Sequence, residues 1–448
     1  MENSHHIVIA GAGPAGAIAA LGLARLDYQV TVITKPRGFD CCEGISERVV
    51  QAFVTQAAHH ALQVIPSPSP RSVHWNGAHS MANTERLVSR QALDRALQKD
   101  MNDAGIDVIE GQLVSWRENT DNVDIVFQTK ADQQQTLSGD FFVDARGRSA
   151  SAKGQARLKG PETLSLLLKW QAAPGRQQSM AASLQDGWAW LARLDSGECY
   201  TQVTLSSAAQ QLPAKDHLKE FVLGQLRQVT GFEAFVADAH IGGAVTARSS
   251  TAILNCDPVA ERSLRIGDAA MAVDPLSGNG IFQSLSTALS APAVINTILN
   301  RPADKYVAQQ FYRERVNHSF MRFARMGRDF YRLEHQWPNS GFWQQRTQWP
   351  DTQPAHEPIA PDKITIERKA VIHGGFIEAT EVVITPDQPL GIWHLDGVEL
   401  APLVRELLRR PLQPEESLQE RFGTTFSNDI ILNQWCQQQG LIESTPRS

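Results

Sequence analysis

The feature that most restricts the fold is a glycine motif that directly follows the first apolar run of the chain. Ile-Val-Ile-Ala at residues 7–10 is followed by Gly-Ala-Gly-Pro-Ala-Gly and then by an alanine-rich stretch. A strand that turns through such a motif into a helix, with a second strand at "QVTVIT", makes one βαβ unit. The sequence therefore predicts an α/β fold in which helices cover a parallel sheet.

Each glycine of this motif has a mechanical role in binding a dinucleotide. Gly11 allows the tight turn, Gly13 lets the backbone approach a pyrophosphate, and Gly16 permits close packing of helix on strand. The start of the helix also presents free N–H groups and the positive end of its dipole. We therefore expect the pyrophosphate to be bound by six consecutive residues: Gly11, Ala12, Gly13, Pro14, Ala15 and Gly16.

The second strand lacks the acidic residue that usually binds the ribose hydroxyls. Thr34 stands at its end, followed by Lys35, which we also assign to the cofactor site. Without charge assistance, a hydroxyl should hold the ribose less firmly than a carboxylate, by roughly 1–2 kcal/mol. We predict weak cofactor binding and a protein isolated largely without its cofactor.

A second glycine-rich segment, "RIGDAAMAVDPLSGNGIFQSL" at residues 265–285, lies far along the chain from the first. Binding of NAD needs only the first βαβ unit and the second, related half of the same sheet. A longer cofactor, folded across two parts of the chain, explains the second segment, so we predict FAD. The helix that begins at residues 278–283 would direct its N–H groups at the N1–C2=O edge of the flavin and stabilise negative charge there.

The composition excludes several classes of function. The 448 residues are 42% hydrophobic and 20% charged, with a formal charge of −6, which indicates a soluble chain of several domains and no nucleic-acid partner. No apolar stretch is long enough to span a bilayer, and a first strand near residue 7 leaves no room for a signal peptide. Five cysteines without a C-x-x-C pair indicate a reducing compartment, which we take to be the cytoplasm, and the histidines lack metal-ligand spacing.

The distribution of strand-like and helical patterns predicts four parts. Strand-like runs with one helix near 215–230 form the second part, an inserted β-sheet domain for the substrate. The last part has helices separated by short turns, in a winged-helix-like pattern. The predicted boundaries are 1–158 with 256–336 for a discontinuous Rossmann-like FAD-binding domain, 159–255 for the substrate domain, 337–362 for a linker, and 363–448 for a C-terminal module that would dock a partner.

Three spaced motifs, "GAGPAG", "FFVDARGRS" and Gly267-Asp268 followed by "DPLSGNG", resemble the flavoprotein monooxygenase superfamily over about residues 5–335. This superfamily contains aromatic hydroxylases, flavin halogenases and geranylgeranyl-type reductases. The resemblance implies that Asp268 binds the ribityl chain, that the turn after Pro275 lies against the isoalloxazine ring, and that Arg90 reaches the cofactor. With the "CCEGIS" loop beside the ring, the further cofactor-binding residues are Glu43, Ser46, Arg90, Asp144, Gly267, Asp268, Pro275, Gly278, Asn279 and Gly280.

Several branches of the superfamily remain as alternatives. "GWAWLARL" partly matches the Trp-x-Trp-x-Ile-Pro element of halogenases, but Ala192 and Arg193 replace Ile-Pro and no lysine occurs between Lys35 and Lys99. Because halogenases need a lysine near the halogen channel, these departures argue against halogenation. A small-molecule hydroxylase, a halogenase or an isoprenoid reductase together form the second hypothesis. A flavin-free assembly chaperone is the third: Thr34 favours it, whereas the intact glycine loops argue against it.

The branch that accounts for most of the chain is that of the LodB-like and GoxB-like maturases. "PRGFDCCEGISERVV", the 265–285 segment, an aromatic-rich helix and the appended module resemble these flavoproteins. The resemblance implies an FAD-dependent monooxygenase that uses O2, with NAD(P)H or free reduced flavin as electron donor, to hydroxylate a specific tryptophan of a precursor oxidase or dehydrogenase. This reaction belongs to the biogenesis of cysteine tryptophylquinone.

The partner and the catalytic base are less defined by sequence. Acidic residues outnumber arginines in the C-terminal module, which would repel phosphates and favour a polypeptide partner. We expect the protein itself to be a monomer. No catalytic residue can be chosen among Glu43, Asp274 and His74. Part of the set Phe342, Trp343 and Trp349 is expected near a substrate channel.

Overall fold

Helices and β-sheets alternate through two units of the chain. The structure, a computed structural model, describes residues 5–150, 156–207, 212–278, 280–395, 397–412, 416–422 and 429–442. Within those ranges, the first unit comprises residues 1–292 with 316–353, and the second comprises residues 293–315 with 354–448.

The first unit contains a seven-stranded sheet, and its first five strands in spatial order are parallel. The inner strands are continuous apolar runs because both faces of a parallel sheet are covered, here in part by the helices Pro14–Ala24 and Arg90–Asp103. The predicted Rossmann-like arrangement is confirmed. The strand order is Ser263–Arg265, Phe141–Asp144, His6–Ala10, Gln29–Thr34, Asp107–Glu118, Val123–Thr129 and Gln134–Gly139.

A second, nine-stranded sheet also belongs to this unit. Residues 42–89 were expected in the FAD-binding part, but three strands from that range extend this sheet, because Gln178–Leu184 pairs in parallel with Ser69–Trp75. The helix Leu218–Leu226 packs on its buried face through Val222 and Leu226. The strands are Cys42–Ile45, Ser69–Trp75, Ala78–Ser89, Leu164–Gln171, Gln178–Leu184, Gly187–Arg193, Glu198–Leu205, His240–Ile241 and Thr246–Ser249.

A small three-stranded sheet leads into the second glycine segment, and two long helices follow that segment. The helix Gly341–Gln348 lies inside the segment expected as a linker, and its Phe342 and Trp343 are buried. The small sheet consists of Arg157–Lys159, Ile253–Asn255 and Met271–Ala272, the long helices are Gly280–Asn300 and Lys305–Arg332, and the short helices are Glu47–Thr55, His59–Gln63 and Phe232–Phe235.

The second unit has its own apolar core. Its helix Leu400–Arg409 presents Leu403, Val404 and Leu407 to that core, together with Leu432 and Cys436. Besides the expected helices, the unit contains strands, and the winged-helix assignment stays a prediction. Its strands are Thr365–His373, Phe376–Thr385, Gln388–Ile392, His394–Leu395 and Val398–Glu399, and its remaining helices are Leu418–Phe422 and Asp429–Gln438. Across the part of the chain that the structure describes, no helix is both long and apolar enough to cross a membrane.

Candidate active site

The first glycine loop leaves its backbone open where a pyrophosphate is expected. Gly11 has a φ of +108°, and a Cβ there would lie 2.5 Å from the Ala145 carbonyl oxygen, so glycine is required. A Cβ on Gly16 would overlap the Gly11 carbonyl. At Gly13, by contrast, the nearest non-neighbouring heavy atom in the described chain is Nη2 of Arg90, 3.3 Å from the Cβ position. The open backbone at Gly13 fits a phosphate group.

Arg90 closes one side of this loop. Its Nη1 donates to Glu43 Oε1 at 2.7 Å and its Nε to Asp94 Oδ1 at 2.8 Å, while its backbone N–H donates to the Cys41 carbonyl at 2.9 Å. The structure thus brings Arg90 and Glu43 together beside Gly13, as two predicted cofactor residues. Because Glu43 is engaged with a guanidinium, it is a weaker candidate for a catalytic base.

The ends of the neighbouring strands carry three further predicted residues. Thr34 Oγ1 accepts from the Ala12 N–H at 3.2 Å, so this hydroxyl lies against the glycine loop. Lys35 donates to Gln112 at 2.9 Å. Asp144 is 1% exposed and receives two side-chain hydrogen bonds from Arg146, at 2.8 and 2.9 Å, so its carboxylate is satisfied inside the protein.

The second glycine segment meets the first at Gly267. This residue has a φ of +60°, its N–H donates to Thr287 Oγ1 at 2.7 Å, and a Cβ on it would lie 2.9 Å from Cβ of Ala15. Asp268 follows with a side chain that is 34% exposed, which accepts from Ser284 at 3.0 Å and lies 3.5 Å from Arg148. An accessible carboxylate beside the first glycine loop fits the hydroxyl-rich middle of FAD.

The Pro275 turn is held by a buried polar network. Asp274 Oδ1 accepts from the Leu276 N–H at 2.9 Å and from the Tyr331 hydroxyl at 3.0 Å, and Trp188 donates to that hydroxyl at 3.3 Å. Loss of solvation raises the pKa of Asp274. Its role as an N-cap of this turn is therefore visible in the structure.

The helix start after this turn is open. Nothing in the described chain lies within 4 Å of a Cβ built on Gly280, and for Gly278 the nearest atom is Nη1 of Arg71 at 3.8 Å. Asn279, also predicted to contact the cofactor, lies outside the described residues. The free space fits a planar ring against the backbone.

The loop before Glu43 is anchored to the second sheet. The Phe39 ring lies 5.0 Å from the guanidinium of Arg37 and 4.3 Å from that of Arg248. Asp40 Oδ2 accepts from Lys169 at 2.5 Å and from the Tyr200 hydroxyl at 2.8 Å. These contacts fix the path of the chain toward the "CCEGIS" segment.

Within that segment the cysteines pack rather than react. Burial raises the pKa of the Cys41 thiol to about 12, and burial also raises that of Cys42. Neither forms a thiolate near neutral pH. Ser46 lies at the N-cap of the helix Glu47–Thr55 without a side-chain capping bond.

His74 and the aromatic residues Phe342 and Trp343 are the other predicted features, and the aromatic pair packs with Tyr331 beside the Pro275 turn. His74 stacks on His79 with ring centroids 4.4 Å apart, and burial together with His79 lowers its pKa. Phe342 and Trp343 are buried in an aromatic cluster with Trp188 and Tyr331. A cavity of about 480 Å³ lies beside Phe342. The ranges that the structure covers contain no group of three or more His, Cys, Asp or Glu placed to hold a metal ion.

Arg71 and Glu85 form a charged pair beside Gly278 and Gly44 that the sequence did not indicate. Arg71 Nη1 lies 3.9 Å from Glu85 Oε2, and the Glu85 side chain is 12% exposed. Glu85 also accepts from Ser179 Oγ and from Trp190 Nε1, the latter at 3.4 Å. Of these four residues, only Trp190 belongs to a motif that the sequence revealed, "GWAW". Arg71, Glu85 and Ser179 lie on three separate strands whose pairing was not predicted.

The fold and the two glycine segments together define a flavin-dependent oxidoreductase of the halogenase and hydroxylase class. The chain belongs to the tryptophan halogenase family, whose model matches residues 87–361. The predicted membership of the flavoprotein monooxygenase superfamily is thereby confirmed.

Three individual proteins of this class are similar to the chain. The solved structure of QhpG, a peptidyl tryptophan dihydroxylase essential for tryptophylquinone cofactor biogenesis, is 44% identical, covers 98% of this chain and 100% of its own, and superposes with a TM-score of 0.81. The putative FAD-dependent oxidoreductase LodB of Marinomonas mediterranea is 24% identical over 77% of this chain and 97% of its own length. The flavin-dependent halogenase CmlS, at 16% identity, shares the fold over 98% of this chain and 96% of its own with a TM-score of 0.75.

Proposed function

We propose that this protein is an FAD-dependent monooxygenase that hydroxylates a specific tryptophan of a precursor protein during the biogenesis of cysteine tryptophylquinone. The observation that carries the proposal is the 44% identity with QhpG over nearly the whole of both chains. QhpG is a dihydroxylase, so we infer that two oxygen atoms are added to one indole ring. The similarity to LodB over almost all of that protein's length adds support.

The proposed residues for FAD follow from the open backbone and the accessible carboxylate. Gly13 and the start of the helix Pro14–Ala24 would bind the pyrophosphate, with Arg90 beside it. Asp268 would accept hydrogen bonds from the ribityl hydroxyls, and the backbone near Gly280 would lie against the ring. We also propose that the ribose is bound weakly, because Thr34 supplies no charge.

Each hydroxylation requires two electrons from an external donor, for which we propose NAD(P)H or a free reduced flavin, so two added oxygen atoms require two O2 and four electrons. When bound, FAD would pass these electrons to O2, so that one oxygen atom would form the C–O bond to the ring and the other would leave as water with two protons. The displaced ring hydrogen leaves as a proton. The chain's own residues bind the partner's tryptophan, orient it and exclude water, for which the aromatic cluster around Tyr331 is suited.

Co-expression with a quinone-cofactor oxidase or dehydrogenase precursor encoded beside this protein tests the proposal. We expect intact and peptide mass spectrometry to show two added oxygen atoms on a single tryptophan. The modification should disappear in Gly13→Val and Asp268→Ala. It should persist in the control Asp238→Asn, which removes a half-exposed carboxylate paired with Arg193 outside the cofactor loops.

Each other outcome points to a named alternative. An unmodified precursor that matures whether or not this protein is present would refute the proposal and favour a small-molecule hydroxylase, halogenase or reductase. Maturation that survives Asp268→Ala without any oxygen on tryptophan would favour an assembly chaperone that does not use flavin.

A further inference from the structure

Glu85 is a mostly buried carboxylate that accepts two side-chain hydrogen bonds and forms an ion pair with Arg71. It lies on the strand Ala78–Ser89, and its Oε1 accepts from Ser179 Oγ and, at 3.4 Å, from Trp190 Nε1. Its Oε2 lies 3.9 Å from Arg71 Nη1. A carboxylate kept inside the protein needs such partners, because burial without them is costly. Glu85 is thus held in a defined orientation.

This carboxylate lies between the two segments proposed to flank the flavin ring. A Cβ built on Gly44, in the "CCEGIS" segment, would overlap Glu85 Oε2. On the other side, Arg71 Nη1 lies 3.8 Å from the Cβ position of Gly278. In the described part of the chain, the buried Nε of Arg71 has no hydrogen-bond partner. The pair therefore borders the space in which a substrate would meet the ring.

We propose that Glu85 accepts the indole N–H of the substrate tryptophan, with Arg71 and Ser179 as positioning residues. The inference rests on the proposed function and names the group that recognises the substrate. The chain's own Trp190 already makes this type of bond. At 3.4 Å that bond is longer than the usual 2.7–3.2 Å for N–H···O, so an incoming indole can replace it with a shorter one.

The hydrogen bond would serve the reaction as well as binding. A carboxylate that accepts the indole N–H increases the electron density of the ring carbons, and these must be electron-rich to form a bond to oxygen. No covalent change occurs at Glu85. The bond also fixes the rotation of the ring, so that one edge faces the cofactor and the carbon to be hydroxylated is selected.

A binding comparison of two small probes tests the inference without requiring turnover. The probes are N-acetyl-tryptophanamide and its benzothienylalanine analogue, in which sulfur replaces the N–H, and their binding is measured by ligand-observed NMR. We expect the wild-type protein to bind the indole about tenfold more tightly, as for a hydrogen bond to a charged acceptor. The preference should be lost in Glu85→Ala, reduced in Glu85→Gln, and retained in Asp238→Asn.

The co-expression experiment supplies the second readout. In Glu85→Gln we expect the modified fraction of the precursor to fall at least tenfold while FAD affinity stays within about twofold, which separates loss of function from loss of fold. Ser179→Ala keeps the carboxylate and should show an intermediate loss.

The two hypotheses fail in different ways. No preference for indole in the wild type, or a preference that survives Glu85→Ala, overturns the role of Glu85, as does full hydroxylation by Glu85→Gln. If the protein prefers indole through Glu85 but oxygenates no tryptophan of a partner, the role of Glu85 in indole binding is supported and the proposed function is refuted.

Discussion

Placing an acidic residue at position 34 should tighten FAD binding. Thr34 Oγ1 accepts the Ala12 N–H at 3.2 Å, and a carboxylate in Thr34→Glu can accept the same bond while it also receives the ribose hydroxyls. A hydrogen bond to a charged acceptor contributes about 1.5–3 kcal/mol, against about 0.5–1.5 kcal/mol for a neutral one. The gross gain is therefore about 1–2 kcal/mol.

One neighbour reduces this gain. Glu110 is paired with Thr34 in the register of the adjacent parallel strand, and its side chain is 45% exposed. Lys130 lies 3.1 Å from the Glu110 carboxylate and partly compensates for its charge. We subtract a few tenths of a kcal/mol for the like-charged pair, by analogy with surface ion pairs. The net gain is about 1 kcal/mol, or roughly a fivefold lower Kd for FAD.

Titration of the cofactor-free protein with FAD, followed by the change in flavin fluorescence, measures this difference. Thr34→Gln is the matched control, since it has the same length without charge. Thr34→Val should weaken binding, because it leaves the Ala12 N–H without its acceptor. If Thr34→Glu binds FAD no more tightly than Thr34→Gln, the reasoning about charge at the ribose is refuted.

Three further changes test other parts of the site. Gly267→Ala forces a Cβ to within 2.9 Å of Ala15 at a φ of +60°, so we expect a loss of about 1–3 kcal/mol in the free energy of unfolding, measured with denaturant; an unchanged value would refute the strain. Tyr331→Phe removes the donor to Asp274 and the acceptor of the Trp188 N–H, and should cost about 1–3 kcal/mol, with an unchanged Tm as the contrary result. The pKa of Asp274 is raised in the folded state, so the Asp274 carboxyl keeps its proton to a higher pH in the folded protein than in the unfolded chain. The contribution of Asp274 to stability therefore falls as the pH rises from the ordinary value of 3.8 through the raised pKa. Asp274→Asn should remove that dependence, so its Tm relative to the wild type should be higher at about pH 8 than at about pH 4; a constant difference would contradict the shift.

The sequence was most informative where local geometry dictates residue type. The glycines at 11 and 16 are imposed by backbone contacts, and Gly267 by its positive φ, so their spacing alone predicted both loops. Strand pairing between distant segments carries no such local signal. The parallel pairing of Arg71 with Ser179 could not be read from either strand, and the position of Glu85 beside Gly44 therefore emerged only from the structure.

One strand of the second sheet runs from the proposed substrate site to the cofactor loop. The strand Ala78–Ser89 holds Glu85, pairs through Ser89 with Cys42, and continues directly into Arg90 beside the glycine loop. This strand therefore connects the proposed substrate contact at Glu85 directly with the proposed cofactor contact at Arg90. If substrate binding strengthens FAD binding through this strand, occupancy by FAD must strengthen substrate binding by the same factor. A protein that retains little FAD when alone would then acquire it together with its partner, and the two would bind as a cooperative set.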